Sequence, residues 1–344
     1  MIESLSVLKK ISKEQGIDTI TSDAIDTVSI LLDEGLEEII TFLDKSVETA
    51  PDPVTQISSY ILDAGGKRIR PSLCLLCAKA FSDTATPVEL AVVCELLHNA
   101  TLLHDDVIDE GDMRRGKPAA RMVWSNALSI LGGDYMLMRC VEIISSMPSI
   151  YMNQFVSTLK SLVEGEIVQL RLRESVATSN EDYFRIVDGK TSSLFGFASF
   201  AGAAAGEASS SDIKKMETFG RNIGVSFQLI DDVLDYSSDA GVLGKNLLAD
   251  ISQGKMTLPV IIAAEKNEKV VDALCRLQRG DDVAACAEEI AVAVKRSGAL
   301  DIAREEAAKY TDLAVAALET VSASNAAVIA VLKQLALSLL HRGN

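Results

Sequence analysis

Apolar residues recur at three- and four-residue spacing along nearly the whole chain, which is the period of an amphipathic or buried helix. Period-two runs of Val, Ile and Thr are scarce, and prolines number only seven in 344 residues. The helical pattern is broken only by short polar or Gly/Pro stretches. These fall at PDP (51–53), Gly65-Gly66, SDTATP (82–87), GDMRRGKP (111–118), SMPS (146–149), VATSNED (176–182), GEASSSD (206–212), SSDAGVLG (237–244) and RGDD (279–282). None is a long linker, so the expectation is one all-α domain over residues 1–344 with about ten to thirteen helices. Apolar residues make up 48% of the chain, enough for a large core.

One helix can be placed in detail. Thr86-Pro87-Val88-Glu89 has the form of a capping box and predicts a helix over 87–109, with Gly111 as its stop. At 1.5 Å per residue it would be roughly 35 Å long. Its far end carries DDVID at 105–109, so acids crowd the negative end of the helix dipole, where they are unfavourable. Asp105 and Asp109 are four apart and share a face, whereas Asp106 is turned aside by about 100°. The pattern returns at 231–235 in DDVLD, with Asp231 and Asp235 on one face and Asp232 turned away. A solvated helix end explains one acidic cluster. Two copies inside apolar flanks, LLH and QLI before them, fit solvated helix ends poorly and point to a cation between the carboxylates. Facing aspartates are hard oxygen ligands and suit magnesium, which keeps waters and completes its shell with phosphate oxygens.

The net charge of −16 argues against a nucleic-acid partner. Cations nevertheless gather beside glycines and the acid clusters: Lys67, Arg68 and Arg70 in GGKRIRP, Arg114 and Arg115, Lys190 before Thr191, then Lys245 and Lys255. Arginine forks match phosphate geometry, so acids plus cations amount to a trap for a diphosphate. Cys74 and Cys77 have redox-like spacing, but their apolar helical flanks make them small buried thiols. The six scattered cysteines fit a reducing cytoplasm. Residues 1–18 have charges where a secretory signal needs an apolar core. The uncharged run at 191–206 is too short to span a bilayer and reads as a closely packed core helix.

Together these residues resemble the trans-prenyltransferases, the head-to-tail polyprenyl diphosphate synthases. The resemblance runs in order through GGKRIRP, ELLHNATLLHDDVIDEGDMRRG, GDYML, EGEIVQL, GKTSSLF, FGRNIGVSFQLIDDVLDY and LGKNLLADISQGKMTLP, over about residues 30–343. Residues 1–18 lie outside it as an N-terminal extension. After RRG the family usually has a Pro-Thr pair; here Pro118 is followed by Ala119, and ARMVWSNALSI is also atypical.

The resemblance implies an isoprenoid synthase fold, a helical bundle around a central cavity, working as a cytoplasmic homodimer without a membrane span. It implies two or three Mg2+ ions per active site, held by Asp105, Asp109 and Asp231, with Asp106, Asp232 and Asp235 in support. Arg114, Lys190, Thr191, Gln228, Lys245 and Lys255 match the family's allylic-diphosphate contacts. Lys67, Arg70, His98 and Arg115 match its isopentenyl diphosphate site. The activity implied is repeated condensation of isopentenyl diphosphate with an allylic prenyl diphosphate. In the family an aromatic four or five residues before the first acid motif stops elongation. Here those positions are Thr101 and Ala100, with apolar Leu97 behind them, so a product of about six to ten isoprene units is expected, one unit per 5.4 Å turn. An aromatic at Ala100 is expected to shorten it.

Other readings are a farnesyl- or geranylgeranyl-length synthase, a terpene cyclase, a non-catalytic synthase subunit, and a ligand-free helical scaffold. A cyclase generally has one DDxxD and lacks GGKRIRP. A non-catalytic subunit typically loses aspartates, and all six are present here. A scaffold leaves every polar motif to coincidence.

Overall fold

The computed structural model describes residues 19–173, 175–176, 178–237, 251 and 253–340. They form fifteen α-helices, one π-helical turn and a two-stranded ribbon. Two compact units account for them, each assembled from three stretches of chain. The first holds the described residues up to 157, with 194–220 and 317–338; the second holds 158–193, 221–316 and 339–340.

The first unit begins with α1 (Thr19–Glu48), α2 (Val54–Asp63), α3 (Ile69–Lys79) and α4 (Val88–Ile108). After the ribbon, β1 (Met113–Arg114) and β2 (Lys117–Pro118), come α5 (Ala120–Val123) and α6 (Asn126–Ser145). Helix α7 (Ser149–Leu172) starts in this unit and ends in the second. Helix α4 is the buried axis: Val93, Leu96, Leu97, Ala100 and Leu103 are all fully buried, and α1, α3 and α6 pack against it. Gly132 and Gly133 let α6 lie close, since a Cβ on Gly133 would sit 2.7 Å from His104 Cδ2. Gly133 is the glycine of GDYML.

The uncharged run became a core helix as expected. Within it, α9 (Ser193–Ala205) presses on α3, where a Cβ on Gly202 would lie 2.8 Å from Cys77 Cβ. Cys74 and Cys77 are buried free thiols. Burial pushes Cys77 up to about 12, and a hydrogen bond with Cys94, then burial, raises Cys74 as well. Neither supplies the thiolate that redox chemistry needs.

The second unit contains α8 (Asn180–Val187), the π turn Asp188–Ser192 and the end of α10 (Ser210–Ser237). It continues with α11 (Leu258–Lys266), α12 (Glu268–Gln278), α13 (Val283–Arg296) and most of α14 (Ala299–Glu319); α15 (Ala326–Leu340) ends the described chain. Its core joins Leu229, Ile230 and Val233 of α10 to Val260 and Ile261 of α11, Leu274 of α12 and Ile290 of α13.

Three local expectations are corrected. The helix count exceeds thirteen because the π turn and the extended backbone at Asn267 (φ −149°, ψ 107°) each divide one periodic segment, and α5 is a single short turn. At the start of α4 there is no capping box: Pro87 (ψ 61°) is the cap residue itself, and the Thr86 hydroxyl donates to the Thr84 carbonyl at 3.3 Å. At its end Glu110 (φ 52°), not Gly111, takes the left-handed position. Glu110 N donates to Val107 O (3.4 Å) and Gly111 N to Asp106 O (2.9 Å), the paired bonds of a Schellman ending.

Candidate active site

In the first unit the acid cluster occupies the last turn of α4, with Asp109 as its C-cap. Asp105 and Asp109 share a face and keep partial exposure. Asp106 is turned inward, 2% exposed. Its Oδ1 accepts from Arg114 Nε at 3.0 Å and from the same guanidinium's terminal nitrogen. Its Oδ2 has no hydrogen-bond partner among the described residues.

The basic loop 65–68 precedes α3 and begins with Gly65 (φ 79°) and Gly66 (φ 154°). Of the three cations in GGKRIRP, Arg68 is committed to the fold. It caps α3 in a left-handed conformation (φ 47°), donates to Leu62 O at 2.8 Å, and pairs with the buried carboxylate of Glu95. Asn99 Nδ2 donates to the same Glu95 oxygen at 3.0 Å. Arg70 lies over the Phe195 ring, 4.7 Å from its centroid, which aims its planar fork. Arg115 reaches back from the ribbon to the Gly65 carbonyl. His98 sits among these groups. Burial, then the guanidiniums of Arg70, Arg115, Arg114 and Arg68, hold its imidazole well below the usual range. It is therefore neutral at physiological pH, able to donate one N–H and accept at the other nitrogen. Four arginines around one histidine, in a chain of net charge −16, make a local field that favours an anion.

In the second unit the acid cluster occupies the last two turns of α10. Again the middle aspartate is turned inward. Asp232 is 3% exposed and accepts from Tyr183 OH (2.6 Å) and Gln228 Nε2 (2.8 Å). Gln228 Oε1 accepts from Thr191 Oγ1 at 2.8 Å, which fixes the amide orientation. Lys190 donates to Gln169 Oε1 (2.6 Å) and pairs with Glu166. These partners project from α7, one helical turn apart, and α7 approaches the π turn through glycine: a Cβ on Gly189 would lie 2.9 Å from Gly165 Cα. Asp231 and Asp235 remain partly exposed on their shared face. Lys255 follows Gly254 (φ 72°), whereas Lys245 lies outside the described residues.

Glu95, Glu166, Gln169 and Tyr183 were not picked out as site residues from sequence. The available signal was a polar residue on an otherwise apolar helical face, as at Glu166 and Gln169 in EGEIVQL. Among the chain-length positions, Ala100 and Leu97 are fully buried, and Thr101 alone keeps open surface, on the face that bears Asp105.

The donor set fits magnesium. Among the described residues no three His, Cys, Asp or Glu side chains converge as a cage. Pairs of hard carboxylates one turn apart suit an ion that brings most of its shell as water and phosphate oxygen.

A family model described as polyprenyl synthetase matches residues 51–294. The all-trans-nonaprenyl-diphosphate synthase (geranyl-diphosphate specific) of Rhodobacter capsulatus is 36% identical, over 81% of this chain and 86% of that protein. A short chain isoprenyl diphosphate synthase of Methanothermobacter thermautotrophicus is 33% identical, over 88% and 94%. The crystal structure of a polyprenyl synthase from Caulobacter crescentus, complexed with calcium and isoprenyl diphosphate, superimposes with a TM-score of 0.86 at 31% identity, covering 93% of this chain and 98% of that one.

Proposed function

This chain belongs to the polyprenyl synthetase family of trans-prenyltransferases and has its all-α fold, and on that footing we propose that it condenses isopentenyl diphosphate with an allylic prenyl diphosphate, head to tail and repeatedly, to a long-chain all-trans polyprenyl diphosphate. The observation that carries this reading is the matched design of the two acid clusters. In each, the middle aspartate is buried and tied to the protein, and the flanking pair is left partly exposed on one helix face.

Asp105, Asp109 and Asp231 would hold magnesium, with Asp235 in support; when bound, it neutralises the charge that builds on a departing diphosphate. Lys190, Thr191 and Arg114 would hold the allylic diphosphate, together with Lys245 and Lys255. Lys190 has three N–H donors, and its contacts with Gln169 and Glu166 fix the side chain before an anion arrives. Lys67, Arg70, Arg115 and neutral His98 would hold isopentenyl diphosphate. Cleavage of the allylic C–O bond leaves an allyl cation, which the double bond of isopentenyl diphosphate attacks. A proton then passes to the released diphosphate. Apolar surroundings must keep water from the cation. No protein nucleophile is needed.

Magnesium-dependent release of diphosphate, requiring both an allylic and a homoallylic substrate, tests the reading; release from the allylic substrate alone would instead indicate a cyclase. Chain-length analysis of the product separates the long-chain reading from the short-chain one that the Methanothermobacter relative keeps in view.

The two basic sets predict separable effects. Arg70→Ala should raise the KM for isopentenyl diphosphate about tenfold or more and leave the allylic KM nearly unchanged, and Lys190→Ala should do the reverse. Equal effects of both variants on both substrates would refute the assignment of the two sets.

A homodimer is the assembly we propose. Helix α6 exposes Ile130 and Leu131 and, two turns on, Met138 and Val141 on one side, with Asp134 between them, and pairing would cover these apolar side chains. Light scattering should give twice the 36.8 kDa chain mass, and a monomer at micromolar concentration would exclude the dimer. No helix among the described residues is long and apolar enough to cross a membrane. The free thiols fit a cytoplasmic location, which activity in the membrane-free fraction of broken cells would test.

A further inference from the structure

We propose that Tyr60 is a positioning residue: its hydroxyl and ring hold the ribbon that carries Arg114 and Arg115, and so set the aim of both arginines. The proposal rests on the site reading given above, in which Arg114 serves the allylic diphosphate and Arg115 the isopentenyl diphosphate.

The ribbon cannot hold itself. It has two pairs, Met113 with Pro118 and Arg114 with Lys117, and isolated two-stranded hairpins are marginal even when longer. Its turn needs positive φ at both central residues, Arg115 (51°) and Gly116 (77°), and a left-handed arginine is strained. Something outside the ribbon must compensate.

Tyr60, on α2, is an external contact along the ribbon's second strand, beside the bonds of Arg114 to Asp106 and of Arg115 to the Gly65 carbonyl. Its hydroxyl donates to the Pro118 carbonyl at 2.7 Å. Lys117 Nζ lies 5.6 Å from the centre of its ring. Trp124, just after α5, meets the same ring edge-on at 5.3 Å and 76°. The base of the ribbon is tied separately: Ala119 N donates to Asp112 O (2.8 Å), and Arg121 donates to Glu110 O, Gly111 O and Asp112 Oδ1 at 2.7–2.9 Å.

The position of Tyr60 matters as much as its contacts. It lies five residues before Gly65, whose carbonyl accepts from Arg115, and seven before Lys67. Helix α2 is thus a common mount for the ribbon and for the basic loop. The departures from the family pattern fall here too. Ala119 stands where the family usually has threonine, and Trp124 belongs to the atypical segment and packs on Tyr60. In this chain an aromatic pair anchors the ribbon.

The test uses Tyr60→Ala and Tyr60→Phe in the full chain, with Arg114→Ala and Arg115→Ala as references. Steady-state kinetics would be run for each substrate, with amide hydrogen exchange on the metal-free protein. Tyr60→Ala should raise both KM values about tenfold, with kcat changed less than about threefold, because one ribbon carries an arginine for each site. Tyr60→Phe should give a smaller rise in both. Exchange should quicken at residues 113–119 while the thermal midpoint holds. Unchanged exchange there would overturn the latch whatever the enzyme does. Quickened exchange with wild-type KM values, while Arg114→Ala and Arg115→Ala raise theirs, would overturn the positioning role. If both arginine variants are silent, the site reading fails, and the positioning claim falls with it. Should Tyr60→Ala not fold, Tyr60→Phe keeps the ring and carries the same comparisons.

Discussion

Replacing Asp105 with alanine should lower turnover by roughly three or more orders of magnitude while leaving the chain folded. The side chain is partly exposed at the last turn of α4, outside the apolar core. Its charge sits at the negative end of the helix and one turn from Asp109, two arrangements that each cost a few tenths of a kcal/mol or more. Without metal, Asp105→Ala should therefore still fold, with a smaller change in stability than Asp106→Ala. Asp106→Ala makes the contrast. Asp106 is buried and paired with Arg114, so its loss should cost about 1–2 kcal/mol of stability, discounted because Arg114 is one-third exposed. Thermal unfolding in chelator, beside turnover titrated with magnesium, separates the two. A folded Asp105→Ala protein with near-normal turnover would refute the metal assignment.

Thr101→Phe should cut the product to about three or four isoprene units without abolishing ionisation. Thr101 is one turn upstream of Asp105 on the same face, is half-buried, and spends its hydroxyl on the His98 carbonyl at 2.8 Å. A phenyl ring there would add bulk to a partly exposed position one turn from the proposed diphosphate site. At Ala100 the outcome should differ. That side chain is fully buried, so a ring there meets packed atoms and costs about 1–3 kcal/mol of overpacking. Product analysis after incubation with labelled isopentenyl diphosphate reads both. Thr101→Phe with an unshortened product would refute steric control at Thr101, and a wild-type product of only farnesyl or geranylgeranyl length would refute the long-chain reading.

The sequence by itself determined whatever depends on spacing along one helix. Asp105 and Asp109 share a face because four residues is about one turn, and the same holds for Asp231 and Asp235. The thiols of SLCLLCAKAF are buried because their neighbours are apolar, and the uncharged run packs closely because its residues are small. These are short-range consequences of covalent geometry and local composition. End signals were less legible: Thr86 and Gly111 had the right chemistry for their caps, but Pro87 and Glu110 occupy the decisive conformations.

Only the tertiary structure decided which of several chemically equal groups does what. Lys67, Arg68 and Arg70 read alike in GGKRIRP. Arg68 is committed to the fold because Glu95, 27 residues on, brings a buried carboxylate to it. Lys190 acquires Gln169, and Asp232 acquires Tyr183, across 21 and 49 residues. Such pairings have no period to detect. A buried charge needs a partner or costs several kcal/mol, and the partner must come from whatever side chain the packed helices bring within about 3 Å. Helix spacing therefore put each acid on its face, and helix packing decided which acid would be buried against a partner and which would stay partly exposed.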